Sequence, residues 1–379
     1  MERHDDGAGA AQRAIGTAAI ALAGFVFALT PLDEYLDNAL LDAGWRVLRR
    51  FDARPAADEI AIIGIDDATV KSIAEPPGLW HATLGKALER VARAKPRAIA
   101  LDLPLPERSF DGVKPGVDRA LFEGLAAAID NGPFVTVLAI DARTRGARTI
   151  HLPFLALLGE SRLGINLAAR DADGVARRFS LLVPTEDGGF PTLEGRMCRA
   201  LVQQCNEGLI HYGLGAPFTY MPLKNLLEMQ DEALLGRLLR GRIVLIGEVQ
   251  PFTDRLDVPV NLAGWEATQR DSPAVVVHAQ ALRTALAHLA PQQARRPVVV
   301  LLLSLGALVF LVRDWRLAAV TGALAAVVVV AGGIVALRGG MFLPVAAILA
   351  TVALAVVARA APSWRARITR RVSDIPHPR

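Results

Sequence analysis

Between residues 51 and 295 the apolar positions come in short bursts with strand or helix spacing, whereas on either side they run on without a charge. Within the first regime, Glu59 to Ile65 predicts a strand, followed by a short helix after Asp67 and a longer one from His81 to Ala94. Arg97 to Leu103 predicts a second strand, Val117 to Ile129 a helix, and Pro133 to Ile140 a third strand. Gly164 to Ala168 and Phe179 to Pro184 predict strands around the turn Arg170-Asp171-Ala172-Asp173-Gly174, a candidate hairpin. A helix from Thr192 to Gln204, a strand from Phe218 to Met221, a helix from Leu223 to Met229, a strand from Arg242 to Gly247 and a helix from Val275 to Leu289 complete the series. Strands alternating with helices imply an α/β fold, a mostly parallel sheet covered by helices.

The second regime consists of four stretches without Asp, Glu, Lys or Arg: Ala14 to Leu32 (19 residues), Pro297 to Val312 (16), Leu317 to Leu337 (21) and Gly339 to Ala358 (20). A bilayer core takes roughly 20 apolar helical residues, so four transmembrane helices are expected, the short second one extended by the snorkelling Arg296 and Arg313. The first exceeds the usual h-region of about 7 to 15 residues and carries Pro31 just after Ala28-Leu29-Thr30, which favours an uncleaved anchor over a signal peptide. Leu36, Leu40, Leu41, Trp45 and Leu48 predict a stalk helix over 33–50 that continues out of the membrane. The expected organisation is a cytoplasmic N-terminus (1–13), a span (14–32), the stalk (33–50), an extracytoplasmic domain (51–295), spans at 297–312, 317–337 and 339–358, and a tail (359–379).

Charge sets the orientation. The chain carries +4, but the tail alone holds six arginines against Asp374, or +5, leaving the remainder at about −1. A basic flank directly after a span reads as cytoplasmic, which places 51–295 outside, and a charge confined there is no nucleic-acid footprint. The spans carry only hydroxyls as polar side chains, so an ion pump is not expected, and small residues such as Gly322 and Ala326 allow close helix packing or a homodimer face. Cys198 and Cys205, seven apart on the expected helix, would lie about 10 Å apart and are expected as free thiols, with no metal site and no cofactor.

Phosphate-binding, dinucleotide, nucleophile-elbow, zinc-protease and EF-hand motifs are absent. What remains is acidic residues at strand ends: Asp66 and Asp67, Asp102, Asp141, and Glu248 with Asp254 and Asp257 close behind. The crevice outside the carboxyl ends of parallel strands is where ligands bind, yet an Asp after a strand also caps the next helix. Capping, ligand binding and metal-assisted catalysis all remain open on this pattern. His81 and His278 both open helices and read as surface or capping residues, with His278 gaining weight as a ligand from its place near the same edge. The candidate ligand-binding set is Asp66, Asp67, Asp102, Asp254 and His278.

Several blocks in order, EIAIIGIDDATVKSIAE, HATLGKALERVARAKPRAIALDLPLPE, VDRALFEGLAAAI, GGFPTLEGRMCRAL, APFTYMPLKNLLEM, GRIVLIGEVQPFTDRLDVPV and PAVVVHAQAL, resemble the second type of CHASE domain, the cyclase and histidine-kinase associated sensory extracellular domain. The resemblance covers about Tyr35 to Leu289, and three membrane helices behind the domain are also typical of that family. Its pattern carries over at Asp66, Asp67, Asp102, Asp118, Gly247, Asp254, Pro259, His278 and Ala279. Where the family shows a Trp-Pro-Trp-Pro-Arg-like stretch this chain has PPGLWHAT, without the arginine, and GWEATQRDS before Pro273 looks like an insertion. Such domains usually signal to a cyclase or kinase on the same chain, but about 21 residues without such a motif follow the last span. The resemblance therefore implies a non-enzymatic sensor in a bacterial inner membrane, multi-pass with a large periplasmic domain. Its partners would be the lipid bilayer, a small ligand or envelope signal, and a separate cytoplasmic or membrane signalling protein. An envelope scaffold that binds protein, and a metal-dependent hydrolase using Asp66, Asp67 and Asp102, are the alternatives.

Overall fold

The computed structural model describes residues 3–56, 59–138, 149–184, 189–201, 204–266 and 270–373, with side chains over 11–361; Asp141 lies outside the described residues. The chain divides into two units, Arg49–Ala290 and a second made of Met1–Leu48 with Pro291–Arg379.

The first unit is built on six strands: β1 (Ile60–Ile65), β2 (Ala98–Pro104), β3 (Phe134–Leu138), β4 (Leu163–Ile165), β5 (Tyr220–Pro222) and β6 (Ile243–Glu248). They lie in the order β4-β3-β2-β6-β1-β5, every neighbouring pair parallel. Because both faces are covered, the central strands are apolar throughout rather than alternating. Ile63, Ile65, Ile99, Leu101, Val244 and Ile246 face a core formed with helices α4 (His81–Arg93), α5 (Val117–Asn131), α8 (Leu223–Glu228) and α9 (Glu232–Leu239). The opposite face takes α7 (Leu193–Leu201) and α10 (Ala274–Leu286). Each fully buried Leu or Ile contributes roughly 1.5–3 kcal/mol.

The short helix after Asp67 is α3 (Asp67–Ser72). Two short helices, α6 (Leu152–Leu158) and α9, had no counterpart in the periodicity reading, being too brief for a helical repeat to stand out. The hairpin expected around residues 170–174 does not form. β4 joins the main sheet beside β3, and Arg178–Phe179 pairs antiparallel with Gly208–Leu209 instead. The reason is Arg177, 2% exposed, whose guanidinium takes Asp171 at 3.0 Å and Asp173 at 2.7 Å, so the acidic turn wraps a buried cation. The free thiols are likewise overturned. α7 ends at Leu201, the chain leaves the helix before Cys205, and Cys198 and Cys205 form a disulfide with Cα atoms 6.1 Å apart.

In the second unit, α1 (Arg3–Phe27), α11 (Arg296–Ala307, continued by a 3-10 turn to Leu311), α12 (Trp315–Arg338) and α13 (Val345–Ser373) pack together. Small residues sit at the crossings, Gly16 against Phe310, Gly24 against Thr351 and Gly322 against Val356, which lets the backbones approach. α12, with Leu317, Leu324, Val327, Val328 and Val335 exposed, is long and apolar enough to cross a bilayer. The other expected spans differ from that standard. Arg296–Leu311 measures about 24 Å at 1.5 Å per residue, short of a ~30 Å hydrocarbon core, and Val345–Ala361 is the apolar part of the longer α13. α2 (Pro31–Phe51), expected as a stalk continuing α1, instead turns by 79° from it. Pro31 removes a donor there, and Thr30 caps the new helix, its hydroxyl accepting from Asp33 N at 3.3 Å. Asp33, Asp37, Asn38 and Asp42 of α2 are buried within this unit, Asp37 accepting from Ala346 N at 2.7 Å at the start of α13.

The tightest packing in the first unit is the α4–α5 crossing, where a Cβ on Gly124 would overlap the Gly85 backbone and one on Gly85 the Ala120 carbonyl. Neither obstacle is a flexible side-chain tip, so the helices must separate to admit it. Gly124→Val is expected to cost about 1–3 kcal/mol, read as a lowered melting temperature of the full chain in detergent, whereas the same change at solvent-facing Gly112 leaves it unaltered.

Candidate functional site

The strand-end carboxylates meet three different fates. Asp66 is the N-cap of α3: its Oδ1 accepts from Thr69 N at 2.8 Å and its Oδ2 from the Tyr220 hydroxyl at 3.1 Å. Burial, with the charges of Asp66 and Asp67, pushes that hydroxyl up to about 12. Asp67 is exposed and accepts from Gln250 Nε2 at 2.8 Å. Asp254 is exposed too, in a left-handed conformation (φ 44°), with its carbonyl receiving Ala274 N at the start of α10. The loop around it is fixed by Arg255, which grips Glu266 at 2.6 Å and Asp271 at 3.0 Å.

Asp102 goes inward. It shares the face of β2 occupied by Ala98 and Ala100, opposite Leu101, and the β2–β3 register breaks between Leu101 and Pro104, a bulge that re-aims the strand end. Asn166, just beyond β4, donates its Nδ2 to Asp102 Oδ1 at 2.6 Å. Asn166 Oδ1 faces His278 Nε2 at 2.8 Å, and His278 Nδ1 meets Glu194 Oε1 at 2.6 Å. Both ring nitrogens therefore point at acceptors, the environment of an imidazolium. Asp102, Glu194 and His278 are 4%, 4% and 1% exposed. Two glycines permit this convergence. A Cβ on Gly247 would strike Val275 of α10 and crowd Asp102, and one on Gly164 would meet the backbone of Thr192 and Leu193 leading into α7.

Electrostatics follow from the burial. For His278, burial pulls the pKa down, but the charges of Glu194 and Asp102 and the Glu194 hydrogen bond outweigh it and raise it to about 9. The Asp102 carboxyl is pushed up to about 6 by burial first, then by Asp254, Glu194 and Glu248, against the pull of His278. Its Oδ2 is buried without a hydrogen-bond partner among the described residues.

A second feature lies at the carboxyl ends of β2 and β3, a cavity of about 420 Å³ bordered by Pro77, Gly78, His81 and Arg108. His81 is not the surface residue expected: it is 4% exposed, its Nδ1 lies 3.0 Å from Asp118 Oδ1, and its ring stacks edge-on to Phe110 at 5.0 Å. Burial pushes the Asp118 carboxyl up, but hydrogen bonds from Ser109, His81 and Phe110 hold it below the usual range. The PPGLWHAT segment, which lacks the expected arginine, thus forms one wall of this cavity, and the guanidinium present there belongs to Arg108.

Of the candidate residues, Asp102 and His278 come together, with Asp254 near enough for its charge to act on both. Asp66 and Asp67 stay with α3, and no three His, Cys, Asp or Glu side chains among the described residues form a metal-binding group. Asn166, Glu194 and the His81–Asp118 pair were not in the candidate set. Asn166 and Glu194 stand in blocks with no strand-end signature, and only the packing of α7 and β4 brings them to Asp102.

The CHASE2 domain family matches residues 17–313, and the chain belongs to it. CHASE2 is a family of sensory extracellular domains of signal transduction, consistent with a sensor role and with an extracytoplasmic domain on a membrane protein. Neither the curated proteins nor the solved structures hold a match.

The buried imidazole makes stability depend on pH with a definite sign. Its pKa rises from an ordinary 6.5 to about 9 on folding, so its contribution is complete below about pH 6.5 and is lost as pH climbs through about 9. Asp102, raised from 3.8 to about 6, acts in the same direction at lower pH. Thermal melts of the full chain should therefore show a loss on the order of 2–3 kcal/mol between pH 6.5 and 9. His278→Gln should be destabilised at pH 6 and nearly flat across that window.

Proposed function

We propose that the protein is a multi-pass membrane receptor with residues 51–295 on the outer side of a bacterial inner membrane, catalysing nothing itself. Its outer domain responds to a small ligand or envelope condition and hands the signal to a separate protein. The observation that carries this reading is the His278 chain, which ties the ends of β2 and β4 to α10 through a continuous line of hydrogen bonds. Residues 287–295 connect α10 to α11, so an event at the sheet edge has a short covalent route into the helical unit. Four crossings place the Arg-rich tail inside, where its six arginines outweigh Arg295 and Arg296 on the outer side. The Cys198–Cys205 disulfide suits an oxidising outer compartment.

Asp102, Asp254 and His278 are assigned as the core of the responsive edge, with Asp66 and Asp67 on its rim. The test is in-cell cross-linking through the tail, followed by purification of the full chain. A defined signalling protein should be recovered from wild type, and its yield should change in a His278→Gln variant that is still membrane-inserted. Recovery of no signalling protein from wild type would overturn the receptor reading, and a cytoplasmic reporter that is active when inserted at residue 112 would overturn the topology.

A further inference from the structure

The cavity beside His81 carries a chemical preference that the receptor reading leaves open. Its 420 Å³ falls within the range of small-molecule sites, roughly 300–1,000 Å³. Leu84, Leu105, Phe110 and Ile150 supply apolar walls, and the polar side chains at hand are His81, Glu107, Arg108 and Thr149.

Their engagements decide what charge fits. Asp118, the carboxylate behind His81, is already occupied: it accepts from the Ser109 hydroxyl at 2.5 Å and from Phe110 N at 3.1 Å besides facing His81 at 3.0 Å. Glu107 also has an interaction of its own. Arg108, by contrast, lies exposed with its guanidinium 5.4 Å over the Phe110 ring and makes no ion pair among the described residues. Nδ1 of His81 faces the Asp118 carboxylate, which fixes the ring as part of the cavity wall. An anion at the cavity would take a fork of N–H donors from the Arg108 guanidinium.

We propose that this cavity binds a small organic anion, a carboxylate on an apolar body, with the carboxylate on Arg108 and the body against Leu84, Leu105 and Ile150. The assignment deepens the receptor reading and rests on it only for the compartment from which the ligand comes. It is separate from the His278 chain, whose N–H donors are already taken by Glu194, Asn166 and Asp102.

The test uses the full chain in lipid nanodiscs with benzoate and hexanoate as probes, benzamide as the neutral isostere and benzylamine as the cation, followed by calorimetry and thermal shift. Benzoate or hexanoate should bind and raise the melting temperature, while benzamide and benzylamine do not. Arg108→Gln should weaken the carboxylate at least tenfold. Arg119→Gln, which removes an exposed cation on α5, should leave binding unchanged. Binding of benzamide as tight as benzoate, wild-type affinity in Arg108→Gln, or no binding by either carboxylate would each overturn the proposal. These outcomes are distinct from failure of the receptor reading, since carboxylate binding without a recoverable signalling protein leaves the anion site standing, and a recovered protein without carboxylate binding leaves the receptor standing.

Discussion

An imidazolium enclosed between Glu194 and Asn166 is the contact on which the outer unit depends. A buried ion costs several kcal/mol unless its partners are in place, and removing one partner leaves the other charge stranded. His278 is 1% exposed, so α10 and α7 must sit where Glu194 and Asn166 can reach it. That requirement propagates to the backbone, because the two helices can approach the sheet only where Gly247 and Gly164 leave room. The disulfide at the end of α7 holds the same helix from its far side.

Side-chain parity separates the carboxylates that otherwise look alike. Asp102 stands on the α10 face of β2 and is drawn into the buried chain, while Asp66 follows the last residue of β1 and turns to cap α3. Capping and participation in a polar network thus coexist on one sheet edge, in different residues. With Asp102 Oδ2 unpartnered among the described residues, that network is not fully satisfied.

The second unit obeys another constraint. The buried carboxylate of Asp37 on α2 is satisfied by accepting from the backbone at the start of α13. Small residues at the helix crossings let the backbones approach closely. The apolar side chains of α12 remain outward, on a helix long and apolar enough to cross a bilayer.

The sequence alone determined the order and type of the main elements, because strands buried on both faces read as unbroken apolar runs and the covering helices show a clean 3.6-residue period. It also determined which carboxylates end strands, and the family. It could not reveal that two of those carboxylates would part company, since parity at a bulge is set by the neighbouring strand and not by the residue itself. Nor did it find Asn166, Glu194 or the His81–Asp118 pair, whose partners lie 112, 84 and 37 residues away. The free thiols and the hairpin failed for the same reason: a helix end and a buried Arg177 are consequences of packing. Local pattern encodes secondary structure because it acts through neighbours in sequence, whereas sites arise where the tertiary fold makes distant polar groups share one desolvated space.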